Sequence, residues 1–219
     1  MKKTERKRQR GTLSLVLGAA LLLGAFFLTG YNLYDDSRAG AASDAVVREL
    51  TLELTEDGLR PAGELLTEED VVVFDNRSLP VKTIDGRDYV GVLQFPRFSL
   101  ELPVQTPYVY ESLRVSPCLY AGDPYHNDMV ICAHNYDSHF GRLKDMELGD
   151  ELLFIAMDGE VFRYELSAQD ILTRYSTEEM LNADTWDLTL FTCTLGGEQR
   201  VTARFVRVQE TPVAGEKNS

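Results

Sequence analysis

From Gly11 to about Leu33 the chain carries no charged residue, and residues 2–10 just before it, Lys-Lys-Thr-Glu-Arg-Lys-Arg-Gln-Arg, are strongly basic. More than 20 predominantly apolar residues match the length a helix needs to cross a bilayer, so residues 11–33 are expected to be a transmembrane anchor. A cleaved signal peptide is the competing reading, with a shorter apolar core and a small-residue cleavage site. Here Tyr31 and Tyr34 sit where interfacial aromatics belong, and the small-x-small site at residues 39–41 comes only after Asp35, Asp36 and Arg38. An uncleaved anchor is the better account. By the positive-inside rule the tail 1–10 stays in the cytoplasm and everything after Leu33 lies outside.

Charge separates the same two regions. Residues 1–10 hold six Lys or Arg and one Glu, a sum of +5, so the rest of a chain whose net charge is −13 carries −18. An acidic body of this kind excludes a nucleic-acid backbone as the expected partner, because phosphate binding needs a basic patch. The three cysteines, Cys118, Cys132 and Cys193, are odd in number and lack C-x-x-C spacing, so neither a disulfide framework nor a zinc site is indicated. No metal or organic cofactor is expected.

Residues 34–85 read as an acidic extracellular stalk. Within it, residues 45–54 place Val46, Val47, Leu50 and Leu54 at helical spacing, while Leu50, Leu52 and Leu54 also alternate like a strand. From Gly86 the texture changes to short apolar or alternating runs punctuated by Pro and Gly. Residues 89–95, 98–104, 129–133, 151–156, 161–172, 187–193 and 200–208 are strand candidates at the spacing of a sandwich or barrel. Two short helices are expected, over 140–146 and after Ser176, where Ser176-Thr177-Glu178-Glu179 fits a capping box. The prediction is a mostly β domain over 86–212, with a C-terminal tail at 213–219.

The sharpest local signal is Thr189-Leu190-Phe191-Thr192-Cys193, then Gly196-Gly197, then a second alternating run from Arg200. With Gly196 and Gly197 as a hairpin loop, the ladder pairs Leu195 with Glu198, Thr194 with Gln199 and Cys193 with Arg200. Directly opposed residues share a face, with Cβ atoms roughly 4.5 to 5.5 Å apart. A thiol therefore faces a guanidinium, which favours the thiolate and whose donors suit an oxyanion forming on an attacked carbonyl. Arg204 lies on the same face but about 13 Å further along the strand, too far to serve the thiol. The bland alternative is that Cys193 is a small buried hydrophobe and Arg200 a solvated edge residue.

A thiol nucleophile also needs a proton acceptor and donor, and histidine titrates in the right range. His134 directly follows the apolar strand 129–133 and is held at a strand end, whereas His126 and His139 read as loop residues; all three remain candidates at this point. Cys132 reads as core, and Cys118 would form a disulfide with it only if their segments pair with suitable Cα geometry.

Together these residues resemble the sortases of Gram-positive bacteria. Asp128 to His134 is similar to the strand ending in the family's catalytic histidine, Thr189 to Cys193 to its T-L-x-T-C strand, and Arg200 to the arginine on the next strand. Tyr89 to Pro96, Leu100 to Val104, Phe140 to Leu143 and Leu148 to Asp150 extend the likeness, in order, over about residues 86–210. The departures are Ala133-His134-Asn135, where many members have Gly-His-Arg, and a short Cys-to-Arg hairpin. They bear on the subclass, for which a class B-like member is one reading.

The resemblance implies a closed sortase-like β-barrel with short helices behind one transmembrane helix, and a cysteine transpeptidase in which Cys193 attacks a sorting-signal carbonyl. It implies that His134 moves the protons, that Arg200 stabilises the oxyanion and that Thr192 helps hold the substrate, although alternation turns Thr192 to the face opposite Cys193. The partners it implies are the sorting-signal peptide of a secreted surface protein and an amine acceptor such as a peptidoglycan precursor or a pilin lysine. The rival classes are a cell-wall cysteine peptidase or amidase and a non-enzymatic, membrane-tethered wall-binding domain.

Overall fold

The computed structural model describes residues 2–56, 78–182, 185–194 and 196–208. Its first element is the helix α1, Lys2–Glu56. The chain divides into two units, residues 1–38 and residues 39–219. In the first, Leu13, Leu21, Phe26 and Phe27 are each more than 60% exposed, which is the exposure a lipid-facing surface requires. One span within α1, inside Leu13–Leu50, is long and apolar enough to cross a membrane.

The remainder is β-rich: β1 Lys82–Ile84, β2 Arg87–Phe95, β3 Leu100–Thr106, β4 Cys118–Ala121, β5 Met129–Ala133, β6 Glu151–Ala156, β7 Val161–Thr173, β8 Leu188–Cys193 and β9 Gln199–Arg207, with a short helix α2, Thr177–Met180. The strands neighbour one another in the order β1-β2-β3-β4-β5-β8-β9-β7-β6, and β6 pairs back onto β2. Eight strands, β2 to β9, thus close into a barrel, and β1 extends the start of β2. Each of those eight strands thus has a neighbour on both sides, although the β3–β4 seam is closed by a single residue pair. Most pairs are antiparallel, but β3–β4 and β5–β8 are parallel.

Alternation along the strands sorts the side chains. Leu93, Leu102, Ile131, Leu152, Phe154, Leu190 and Phe205 fill the barrel interior and are fully buried. On the outer face of β4, β5 and β8 a second cluster collects Cys118, Val130, Cys132 and Phe191, with Leu113 and Met180 beside them. A third joins Val47 and Leu50 of α1 to Ile84, Tyr89 and Val92. Burying an aliphatic side chain of this size stabilises the fold by about 1.5–3 kcal/mol.

That third cluster is where the structure differs most from the expected stalk over 34–85. Residues 34–56 continue α1, and Ala39, Ser43, Val47 and Leu50 are buried in the second unit. Their i, i+4, i+8 spacing, with Leu50 one turn on from Val47, is one helical stripe; its small residues Ala39 and Ser43 concealed it from a search for large apolar side chains. The segment 57–77 and the tail 213–219 lie outside the described residues.

The seven expected strands all form, with boundaries shifted by two residues or fewer. Sequence reading missed β1 and β4, both short; β4 sits between Pro117 and Gly122 and is joined to β3 at a single residue pair. The helix expected over 140–146 is a single 3-10 turn, Leu143–Asp145. At α2 the capping box is not used: the Ser176 hydroxyl lies 3.1 Å from Thr173 Oγ1 and makes no bond to the helix N-terminus.

Candidate active site

The β5–β8 pair sets the site. These strands run parallel in the register Met129↔Leu188, Val130↔Thr189, Ile131↔Leu190, Cys132↔Phe191 and Ala133↔Thr192. One step further takes the chain to His134 on one strand and Cys193 on the other, with strand axes about 4.8 Å apart. Because Ile131, Ala133 and Leu190 point into the barrel, alternation directs His134, one residue beyond Ala133, and Cys193, three residues beyond Leu190, to the outer face. His134 and Cys193 are both half-buried there.

The β8–β9 ladder adds the third group. It pairs Thr192 with Val201 and Cys193 with Arg200, the register expected from the sequence. The connecting turn differs in detail, since the Gly197 N–H donates to the Thr194 carbonyl at 2.9 Å and the Thr194 N–H to Gln199 at 3.0 Å. Gly196 and Gly197 have φ of 93° and 75°, a region that favours glycine, which is why the pair marks the turn. Leu195 lies outside the described residues. Arg200 Nη1 donates to the carbonyls of Gly197 at 2.9 Å and Gln199 at 3.1 Å, so the guanidinium is parked on the turn beside its partner strand.

Thr192 occupies the barrel side of β8. It is 3% exposed, and its hydroxyl donates to the Ala133 carbonyl at 2.9 Å. That side chain ties the end of β5 to the end of β8, on the face that alternation assigned to it.

The remaining candidates separate by environment. His126 is exposed with Nδ1 2.7 Å from Asp123 Oδ2, and the hydrogen bond to that carboxylate raises its pKa. His139 is buried, with Nε2 3.4 Å from Ser43 Oγ. The single Ser43 hydroxyl proton goes to the Val115 carbonyl at 2.9 Å, so Ser43 accepts from His139 and the ring proton sits on Nε2. Arg204 is 3% exposed and holds Thr189 Oγ1 at 3.0 Å and the carbonyls of Met180 and Glu179 at 3.2 and 2.7 Å. Its job is to fasten α2 to the sheet.

Cys118 and Cys132 are direct partners in the antiparallel β4–β5 ladder, yet both are free thiols. Burial pushes the Cys118 thiol up to about 11 and drives Cys132 higher still, so each stays protonated. Cys193 is the more exposed of the three. Among the described residues no group of three or more His, Cys, Asp or Glu is placed to hold a metal ion.

The sequence reading missed the aromatic setting. Tyr110 and Tyr136 both lie against the His134 ring, with centroids 5.7 and 4.9 Å away. Tyr108, Tyr120 and Phe191 form a chain of edge-on contacts at 5.3 and 5.4 Å that ends two residues before Cys193 on β8. The available signal was the density of tyrosine between residues 108 and 125, in segments otherwise broken by Pro and Gly.

A family model described as the sortase domain matches residues 93–210, more than half of the chain. The chain belongs to the sortase family. Among solved structures the sortase barrel found here is similar to Sortase A from Corynebacterium diphtheriae, at 22% identity and a TM-score of 0.53 over 58% of this chain and 64% of that one. It is also similar to a Clostridium perfringens Sortase D5 transpeptidase, at 17% identity and a TM-score of 0.51 over 58% and 83%. The chain spans somewhat less than two thirds of the Corynebacterium protein. At these identities the likeness is one of fold. No curated protein matches.

Proposed function

We propose that this sortase is a membrane-anchored cysteine transpeptidase. The observation that carries the reading is the pair of registers that brings Cys193 between His134 on the strand to one side and Arg200 on the strand to the other. In this reading the Cys193 thiolate attacks the backbone carbonyl of a sorting-signal threonine, and the tetrahedral oxyanion takes donors from Arg200. The C–N bond then breaks, His134 gives its proton to the departing amine, and a thioacyl enzyme remains. An incoming amine, from a wall precursor or a pilin lysine, loses a proton to His134 and attacks the thioester, releasing Cys193.

The residues at the N-terminus supply the address. A basic tail before an apolar span keeps residues 1–10 in the cytoplasm and holds the barrel outside, where secreted proteins carrying a sorting signal pass.

The test is a pentapeptide library presented to the purified enzyme with glycine-based and lysine-based amines, read by mass spectrometry for cleaved and ligated products. Ligated product that disappears in Cys193→Ala supports the transpeptidase. Cleavage without ligation for every amine supports a cysteine peptidase, and neither product, with no alkylation of native Cys193, supports an inert wall-binding domain.

A further inference from the structure

We propose that Tyr110 is a positioning residue for His134, holding the imidazole in the orientation that proton transfer at Cys193 requires. The inference rests on the transpeptidase reading for its kinetic consequence, and on geometry for the contact itself.

The β5–β8 ladder ends at Ala133↔Thr192, so the sheet places the backbone of His134 and leaves the turn of its ring to local contacts. Two rings meet it. Tyr136 lies at 4.9 Å with planes tilted by 45°, and Tyr110 at 5.7 Å with planes at 81°, an edge-to-face contact. Such pairs prefer defined angles, and a ring held on two sides loses the freedom to turn about its last torsion.

The two neighbours are anchored differently. Tyr136 belongs to the loop that carries His134 and is fixed from behind: its carbonyl accepts from the N–H groups of His139 at 2.9 Å and Gly141 at 2.8 Å, and its ring lies 5.4 Å from buried His139. Gly141 is required there, because a Cβ would come within 2.6 Å of the Asn135 carbonyl oxygen. That wall is built into the loop.

Tyr110 arrives from elsewhere in the chain. It opens the 3-10 turn Tyr110–Arg114 between β3 and β4 and is 61% exposed. A ring so exposed contributes little to the core, so packing alone does not account for its place beside the histidine. It is the removable wall of the pair.

Each half of the transpeptidase cycle asks the same imidazole to face the carbonyl held on Cys193, once to give a proton to the departing amine and once to take one from the incoming amine. Loss of the Tyr110 wall therefore slows acylation and transfer together and leaves peptide binding unchanged. An aromatic contact of this type biases orientation by about three- to tenfold, which is the expected loss of turnover.

The experiment uses the full chain in detergent micelles, wild type and Tyr110→Ala and Tyr110→Phe, with the best peptide from the library and with 13C-histidine labelling. The chain holds three histidines, so three Cε1–H signals are expected. Tyr110→Ala should lower kcat about three- to tenfold with KM within about twofold and the ratio of ligated to hydrolysed product unchanged, and it should move one Cε1–H signal, assigned by His134→Gln. Tyr110→Phe should restore both.

Wild-type kcat in Tyr110→Ala, a loss confined to KM, or a Phe variant as impaired as Ala would overturn the proposal. If the wild-type chain turns over no peptide, the transpeptidase reading fails by itself. The histidine signal then decides this proposal alone: a His134 resonance that does not respond to Tyr110→Ala refutes the contact.

Discussion

The Thr192 hydroxyl donates to the Ala133 carbonyl, so the residue before the candidate nucleophile is tied to the residue before the candidate proton carrier. One 2.9 Å bond spans the two strand ends from the barrel side, and alternation puts both candidate side chains on the other side.

Replacing Thr192 with Val keeps the shape and removes the donor. A buried carbonyl left without its partner costs about 1–3 kcal/mol, and the strand ends are freed to drift. Thr192→Val should lower the melting temperature and reduce kcat about tenfold or more, since small misplacements of reacting groups are costly. Thr192→Ser should recover most of both, and a Val variant with unaltered kcat would dissociate the strut from catalysis.

At the chemical groups the expected pattern is steeper. Cys193→Ala should abolish peptide cleavage, and His134→Ala or Arg200→Lys should lower it by orders of magnitude, because lysine keeps the charge and loses the planar fork. Near-normal turnover by Arg200→Ala would remove Arg200 from the oxyanion role.

Arg204 should behave in the opposite way. Arg204→Ala strands the carbonyls of Glu179 and Met180 and the Thr189 hydroxyl, a loss of about 2–3 kcal/mol of stability by denaturant titration. Activity per folded molecule should fall far less than in Arg200→Ala.

Leu50 is fully buried against Ile84 and Tyr89, so Leu50→Ala should destabilise the barrel unit by about 2–5 kcal/mol. A soluble form beginning at residue 35 should melt cooperatively and well above one beginning at residue 86. Equal melting temperatures would show that the α1 stripe adds nothing to the fold.

The buried thiols set an alkaline limit. The folded pKa of Cys118 is raised by burial from an ordinary value of 9.0 to about 11. A raised folded pKa leaves stability intact below the unfolded value and removes it as pH climbs through the folded one. Stability should thus decline between pH 9 and 11, and Cys118→Ala should flatten that decline. Under native conditions at pH 8 iodoacetamide should label Cys193 well ahead of Cys118 and Cys132, with all three reacting once the chain is unfolded.

Much of the barrel was legible because period-2 alternation and Gly-Gly punctuation are local signals, and the Cys193–Arg200 register followed from counting back from the turn. The stripe Ala39, Ser43, Val47 and Leu50 was not, since two of its four members are small and their burial depends on a surface made by β1 and β2. That the segments of Cys118 and Cys132 pair was open in the sequence, because β4 is too short to show its own alternation. The tyrosines around His134 escaped for a related reason: Tyr110 and Tyr136 come from separate loops, and no spacing rule joins them. Thr192 was half legible, as alternation gave its face and only the packed neighbour disclosed its partner.

Arg200 spends its hydrogen bonds on Gly197 and Gln199, two neutral carbonyls. A tetrahedral oxyanion on Cys193 would compete for the same protons with a full negative charge, and charge-assisted bonds are about twice as strong as neutral ones. The turn is then a holster. In the proposed reaction, stabilisation of the reacting carbonyl would become an exchange of acceptors on a half-buried arginine, and the glycines that shape the turn would govern how readily it is drawn.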